Sequence, residues 1–288
     1  MSRPPLLELP HGARAHRLPT ARGPFAVHEM GSATRGTALL IPGFTGSKED
    51  FIGLLEPLAH EGYRVVAVDG RGQYETGGPC DESAYAPEEL AADVLAVAET
   101  LKAEYPLHLV GHSLGGLIAR AAVFRDRTPF ASLTLMSSGP GAVCTAQQSR
   151  LKMLLGALPV MEMEDVWRAM RELDPPEAAD DLTPPAVAEF LHHRWLANVP
   201  EQLIATAQQL LTEPDRTAEL TELAANGMPV HVLSGELDYA WPVPQIDALA
   251  AAIGARRTVI TGAEHSPNAD QPQQTAQALL AGWAVPAR

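Results

Sequence analysis

Two cysteines, three lysines and no long apolar run characterise this 288-residue sequence by what it lacks. Cys80 and Cys144 cannot build a disulfide framework, and they lack the Cys-x-x-Cys spacing of a zinc or redox site. Lys48, Lys102 and Lys152 are scattered, and the more numerous arginines form no basic run, so no nucleic-acid arm or polybasic tail is present. With 35 acidic against 21 basic side chains the net charge is −14, which repels polyanions and gives no electrostatic footprint for nucleic acid or an anionic membrane. No stretch reaches the roughly 18 uninterrupted apolar residues of a membrane span. The segment from Met1 to Pro24 has no apolar core of the kind a signal peptide carries. No Walker loop, zinc spacing or EF-hand loop occurs, so no cofactor or metal is expected. These absences leave a cytoplasmic protein acting on a neutral or cationic small molecule, with its oligomeric state open.

Hydrophobic residues make up 46% of the chain, enough for a sizeable core. Two extended stretches, 14–18 and 25–29, are separated by Pro19 to Pro24 and predict an edge hairpin. Short apolar runs then alternate with segments of helical period. Strands are predicted over 37–41, 63–69, 107–111 and 132–137, with helices over 48–61, 87–104 and 114–125. Strands apolar along their whole length and separated by helices form a parallel sheet covered on both faces, a doubly wound α/β architecture. Beyond Gly139 the alternation stops, and helices are predicted over 145–158, 164–173, 184–198, 201–212 and 214–225, punctuated by Pro175-Pro176, Pro184-Pro185, Pro200 and Pro214. Strands resume at 229–234 and 257–261, with helices over 243–253 and 270–281. The expected organisation is a core of residues 1–139 and 228–288, interrupted by a helical cap of residues 140–227 over the sheet's carboxyl edge.

The strand 107–111 runs directly into Gly111-His112-Ser113-Leu114-Gly115, and the next helix begins at once. A serine hydroxyl is a poor nucleophile until a base takes its proton, and it must stand clear of the backbone to meet a carbonyl. A sharp strand-to-helix turn provides that exposure, glycine at 111 and 115 removes Cβ atoms from it, and the helix start offers amide N–H groups to developing negative charge. Chance would place Gly-x-Ser-x-Gly in roughly one such chain in fifteen. Its position between a buried strand and a helix carries the weight.

Gly111-His112-Ser113-Leu114-Gly115-Gly116 resembles the nucleophile elbow of the α/β-hydrolase superfamily, in its esterase and lipase-like branches. The resemblance spans about residues 37–281. It implies the α/β-hydrolase fold and a chain order of serine, acid, histidine. Of ten histidines, only His265 follows a final strand and opens a polar loop before the last helix. For the acid, Asp238 fits the family's G-x-x-D-x-x-x-P pattern from Gly235 to Pro242, with Glu236 as its rival. The implied oxyanion hole uses the Leu114 N–H and the Phe44 N–H, with Pro42 standing where the family usually has histidine. Asp69-Gly70-Arg71-Gly72-Gln73-Tyr74-Glu75-Thr76 resembles the family's D-x-R-G-x-G-x-S stretch. Asp69 and Arg71 are expected to fix the loop near the oxyanion turn, and Tyr74 to contact the site wall. Cap residues Met153, Met161, Trp167, Phe190 and Trp195 are candidates for a substrate pocket, beside Met163 and Met170.

The implied activity is that of a serine hydrolase cleaving a small or lipid-like carboxylic ester. Thioesters, lactones, amides and activated C–C bonds are open to the same triad, and a non-catalytic binder is the reading from another class.

Overall fold

A computed structural model describes residues 2–101, 106–172 and 183–284. The expected helix ends at Glu104 and Leu173, together with Lys102 and Pro175-Pro176, lie outside the described residues. Among the described residues, no helix is long and apolar enough to cross a membrane.

Strands β1 (Arg14–Thr20) and β2 (Gly23–Met30) form the edge hairpin and are longer than the sequence indicates. Pro19 and Pro24 face each other across it, leaving only Ala21-Arg22 as the turn. β1 lies at the sheet edge, and β2 meets its next neighbour only from Val27 onward, so no ladder bond to a third strand is lost at either proline. Gly23 takes a positive φ of 107° to close the turn.

The remaining strands are β3 (Gly36–Ile41), β4 (Tyr63–Val68), β5 (Leu107–His112), β6 (Ser132–Met136), β7 (Val230–Gly235) and β8 (Arg256–Ile260). One eight-stranded sheet results, in the order β1-β2-β4-β3-β5-β6-β7-β8. β1, β2 and β4 pair antiparallel, and every pairing from β4 through β8 is parallel. Successive strand residues point to opposite faces. Leu39, Leu109 and Val232 accordingly enter one core, while Leu40, Val110 and Leu233 enter the other. Helices α1 (Ile52–His60), α2 (Pro87–Leu101) and α3 (Leu114–Arg125) supply side chains to these two cores. Each fully buried leucine contributes on the order of 1.5–3 kcal/mol, which is why all six positions of β3 and of β5 are buried.

Between β6 and β7 come α4 (Thr145–Ala157), α5 (Met163–Glu172), α6 (Pro185–Leu196), α7 (Pro200–Thr212) and α8 (Thr217–Ala225). Two buried arginines tie this helical segment to the sheet. Arg120 on α3 donates to the carbonyls of Gly139 and Pro140 at 3.0 and 2.8 Å and to Glu213 at 2.8 Å, clamping the segment's entry to the turn between α7 and α8. Arg194 on α6 donates to Asp50 at 2.6 Å and to the Ser2 carbonyl at 2.8 Å. After β7, α9 (Val243–Ile253), the four-residue α10 (Pro267–Asp270) and α11 (Pro272–Trp283) complete the chain.

Three helix starts differ by two residues or more from the sequence expectation, each for a local reason. Residues 48–51 form a 3-10 turn before α1, with the Asp50 carboxylate accepting from the Ser47 N–H. α8 begins at Thr217 rather than Pro214, because the Asp215 side chain accepts from the Thr217 N–H and holds the chain in a turn. α11 begins at Pro272, and Gln271, restricted by the proline after it, leaves the helical region with φ −139° and ψ 63°.

Candidate active site

Ser113 sits between β5 and α3 with φ 55° and ψ −120°, a conformation costly for a residue with a Cβ. The neighbouring glycines make it possible. A Cβ on Gly111 would lie 2.2 Å from the Gly115 carbonyl oxygen, and one on Gly115 would lie 2.3 Å from that of Ile41. Both obstacles are backbone, so neither position can accept a side chain without moving the elbow.

The fold brings Ser113, Asp238 and His265 together. His265 Nε2 is 3.0 Å from Ser113 Oγ, and His265 Nδ1 is 2.9 Å from Asp238 Oδ2. An ionised carboxylate only accepts, so Nδ1 carries the ring proton and Nε2 is left to accept from the serine. Asp238 Oδ1 accepts from the Ala240 and Trp241 N–H groups at 2.8 and 2.9 Å, which fixes the carboxylate. Glu236 lies elsewhere: its carboxylate is exposed and accepts from the Gly262 N–H at 2.7 Å.

The loop carrying His265 is held from two sides. Asn268 donates to the Asp50 carbonyl at 2.7 Å. His112 Nε2 donates to the His265 carbonyl at 2.8 Å, while burial pushes the His112 imidazole down to about 3 and keeps it neutral. The sequence singled out His265 among the histidines and gave His112 no role, and only the residue type of His112 could have hinted at this anchoring. The rings of Tyr239 and Trp241 flank His265, with centroids at 4.6 and 6.3 Å.

Phe44 follows β3 in the loop Pro42 to Ser47, and among the described residues no partner accepts its N–H. The Leu114 N–H, first in α3, is equally without an acceptor. Asp69 anchors the end of this loop by accepting from the Lys48 N–H at 2.7 Å and from Lys48 Nζ at 3.0 Å. Arg71 does not join it and instead pairs with Asp93 on α2 at 2.7 Å. Tyr74 is absent from the site wall. Its ring packs edge-on against Phe190 and His193, beneath the Lys48 ammonium.

Ser113, His265 and Phe44 line a cavity of about 550 Å³. A larger open groove of about 1360 Å³, bounded by α2, α3, α7 and α8, contains none of the three and is set aside for that reason. Of the seven expected pocket residues, Met153, Trp167, Met170 and Trp195 line the cavity, while Met161, Met163 and Phe190 do not. Met161 lies in the turn after α4 and faces solvent, and the Phe190 ring is engaged by Tyr74 and the Arg194 guanidinium. Beside Gln147 and Arg150 as polar members, the wall also holds aliphatic residues the sequence did not single out, among them Leu151, Leu154, Val166, Leu191 and Leu210. Their periodicity marks a buried helix face and says nothing of whether that face meets protein or empty space.

A mostly parallel eight-stranded sheet with helices on its faces agrees with the comparison to known families, where the model of the Alpha/beta hydrolase family matches residues 38–278. The chain belongs to the alpha/beta hydrolase family. It is 28% identical over 77% of its length to a pimeloyl-(acyl-carrier protein) methyl ester esterase of Aeromonas hydrophila, covering 85% of that protein. A Variovorax paradoxus protein that carries the name of a carbamate hydrolase is 33% identical over 40% of this chain, and the match spans only 41% of that relative. Among solved structures, a hydrolase from Pseudomonas aeruginosa shares the fold with a TM-score of 0.76 at 22% identity, covering 94% of this chain and 99% of that one. Among the described residues of this alpha/beta hydrolase, five helices, α4 to α8, stand between β6 and β7.

Proposed function

We propose that this alpha/beta hydrolase is a serine esterase that cleaves a carboxylic ester through an acyl-enzyme on Ser113. The observation that carries the reading is the hydrogen-bonded relay from Asp238 through His265 to Ser113, at 2.9 and 3.0 Å, opening on a largely apolar cavity. In this reading His265 Nε2 takes the Ser113 proton as Oγ attacks the carbonyl carbon. The tetrahedral oxyanion accepts from the Phe44 and Leu114 N–H groups. His265 then protonates the departing alcohol, and in the second half activates the water that releases the acid. Asp238 remains ionised, orienting the imidazole and stabilising the imidazolium.

The cavity wall of Leu151, Leu154, Val166 and Leu210, with Met153, Trp167 and Trp195, favours an apolar acyl or alcohol group. Residues 140–227 act as the cap over a core of residues 1–139 and 228–288. The Aeromonas relative acts, by its name, on a methyl ester. That favours an ester over a thioester, lactone or C–C bond. Against a non-catalytic binder stands the presence of all three relay residues.

Turnover of p-nitrophenyl esters and covalent labelling by a fluorophosphonate test this function. Wild type should do both. Ser113→Ala should lose labelling, and His265→Ala should lose nearly all turnover, with both variants folded. A wild-type protein that neither turns over nor labels would eliminate the esterase reading.

A further inference from the structure

Gly43 approaches Ser113 so closely that a Cβ there would lie 3.1 Å from the serine Cβ and 3.2 Å from His112 Nδ1. Glycine is therefore required beside the nucleophile, but it has a consequence. Glycine lets its peptide rotate at little cost, and the Gly43–Phe44 peptide carries the Phe44 N–H. Pro42, where the family usually has histidine, supplies no N–H and no polar side chain to hold the loop.

Gln73 supplies the restraint. Its side chain is buried, Nε2 donates to the Gly43 carbonyl at 2.8 Å, and Oε1 accepts from the Gly70 N–H at 3.1 Å. Only this orientation of the amide satisfies both partners, because the reverse would face oxygen to oxygen and N–H to N–H. Backbone bonds from Gln73 N–H to Gly70 and from Thr76 N–H to Gln73, at 3.0 and 2.9 Å, lock the residue in its own turn. The Gly46 N–H donates to the same Gly43 oxygen at 3.0 Å. A trans peptide is planar with C=O and N–H antiparallel, so fixing the Gly43 oxygen fixes the direction of the Phe44 N–H.

We infer that Gln73 is a positioning residue that preorganises the oxyanion hole by holding the Gly43–Phe44 peptide with its N–H toward the reacting carbonyl. The inference rests on the esterase reading above. Gln73 touches no reacting atom, so it acts only through that peptide. Its contribution is larger in the transition state, where the oxyanion carries full charge, than in the bound ester.

Gln73→Met removes the donor at similar length, and Gln73→Glu places a carboxylate oxygen against the Gly43 carbonyl. Losing an oxyanion donor outright costs roughly 10²–10³-fold in kcat. Loosening one should cost about 10–100-fold, with KM within about threefold, and Gln73→Glu should be the worse variant. Affinity for a boronic acid, a tetrahedral mimic, should fall in parallel, and crystal structures of the variants should show the Gly43 carbonyl turned into the site. A kcat within about threefold of wild type, or a peptide that stays in place in both variants, would overturn the inference. So would a fall in kcat fully accounted for by a smaller folded fraction in the melting curves, with the boronic acid affinity of the folded protein unchanged. Failure of the esterase reading is seen separately, in the wild-type protein, and the peptide orientation is read from structure whether or not substrate is turned over.

Discussion

Replacing Asp238 by asparagine exchanges one oxygen for an NH₂ group and should invert the relay. The carboxylate accepts at both ends: Oδ1 from the Ala240 and Trp241 N–H groups, and Oδ2 from His265 Nδ1 at 2.9 Å. An asparagine can keep its oxygen on the two backbone donors or on the histidine, but not on both. The first choice retains two hydrogen bonds and the second one, and each is worth about 1 kcal/mol net. The second also presses NH₂ against two N–H groups in a buried place. The amide NH₂ therefore faces His265 Nδ1, which must become an acceptor, and the ring proton moves to Nε2. There it meets Ser113 Oγ at 3.0 Å, and the imidazole can no longer take the serine proton. The wrong tautomer in such a relay costs about 10⁴ in kcat, equivalent to about 5 kcal/mol of transition-state stabilisation. Because two hydrogen bonds survive, the melting temperature should scarcely move. Steady-state turnover of p-nitrophenyl acetate by wild type, Asp238→Asn and Glu236→Gln decides the matter. A loss below about tenfold at 238, or a larger loss at 236, would refute this assignment of the acid.

Two further outcomes follow from packing and burial. In Gly115→Ala the new Cβ meets the Ile41 and Pro42 carbonyl oxygens at 2.3 and 2.5 Å, both backbone. A cost of about 3 kcal/mol or more is expected, seen as a melting point lowered by at least about 6 °C; an unchanged melting point would contradict the reading of the elbow. His108 and His231 are held down to about 4 by burial, from an ordinary 6.5. The unfolded chain takes up protons below 6.5 while the folded one stays neutral, so stability is full above that pH and declines as pH falls toward 4, by up to about 3 kcal/mol per histidine. Melting curves across this window should show the decline, and His231→Gln should flatten part of it. A profile identical to wild type would remove His231 from the account.

The parallel sheet was legible because strands covered on both faces read as nearly continuous apolar runs; β3 and β5 are buried at every position and carry only Thr37, His108 and His112 as polar residues. Residues separated by 125 and 27 positions needed the family resemblance to be associated, since nothing local in Asp238 or His265 announces a relay. Helix starts were misjudged where a side chain intervened, as Asp215 does before α8. At Gln271 the following proline had marked the break in plain view. The cavity wall was the least legible part: Phe190 and Leu191 are adjacent in sequence, yet the first packs on Tyr74 and the second lines the pocket.

By itself the sequence determined the elbow, because Gly111 and Gly115 answer to backbone contacts within one strand, one turn and one helix. The tertiary structure alone decided which carboxylate reaches His265 and which helix faces enclose the cavity. It alone put Gln73, from a loop 30 residues away, against the Gly43 carbonyl. The physical reason is that a hydrogen bond requires its two atoms to lie within about 3 Å in a fixed direction. Local preferences set such distances along a turn, whereas between distant segments only the packing of the whole sheet and its helices does.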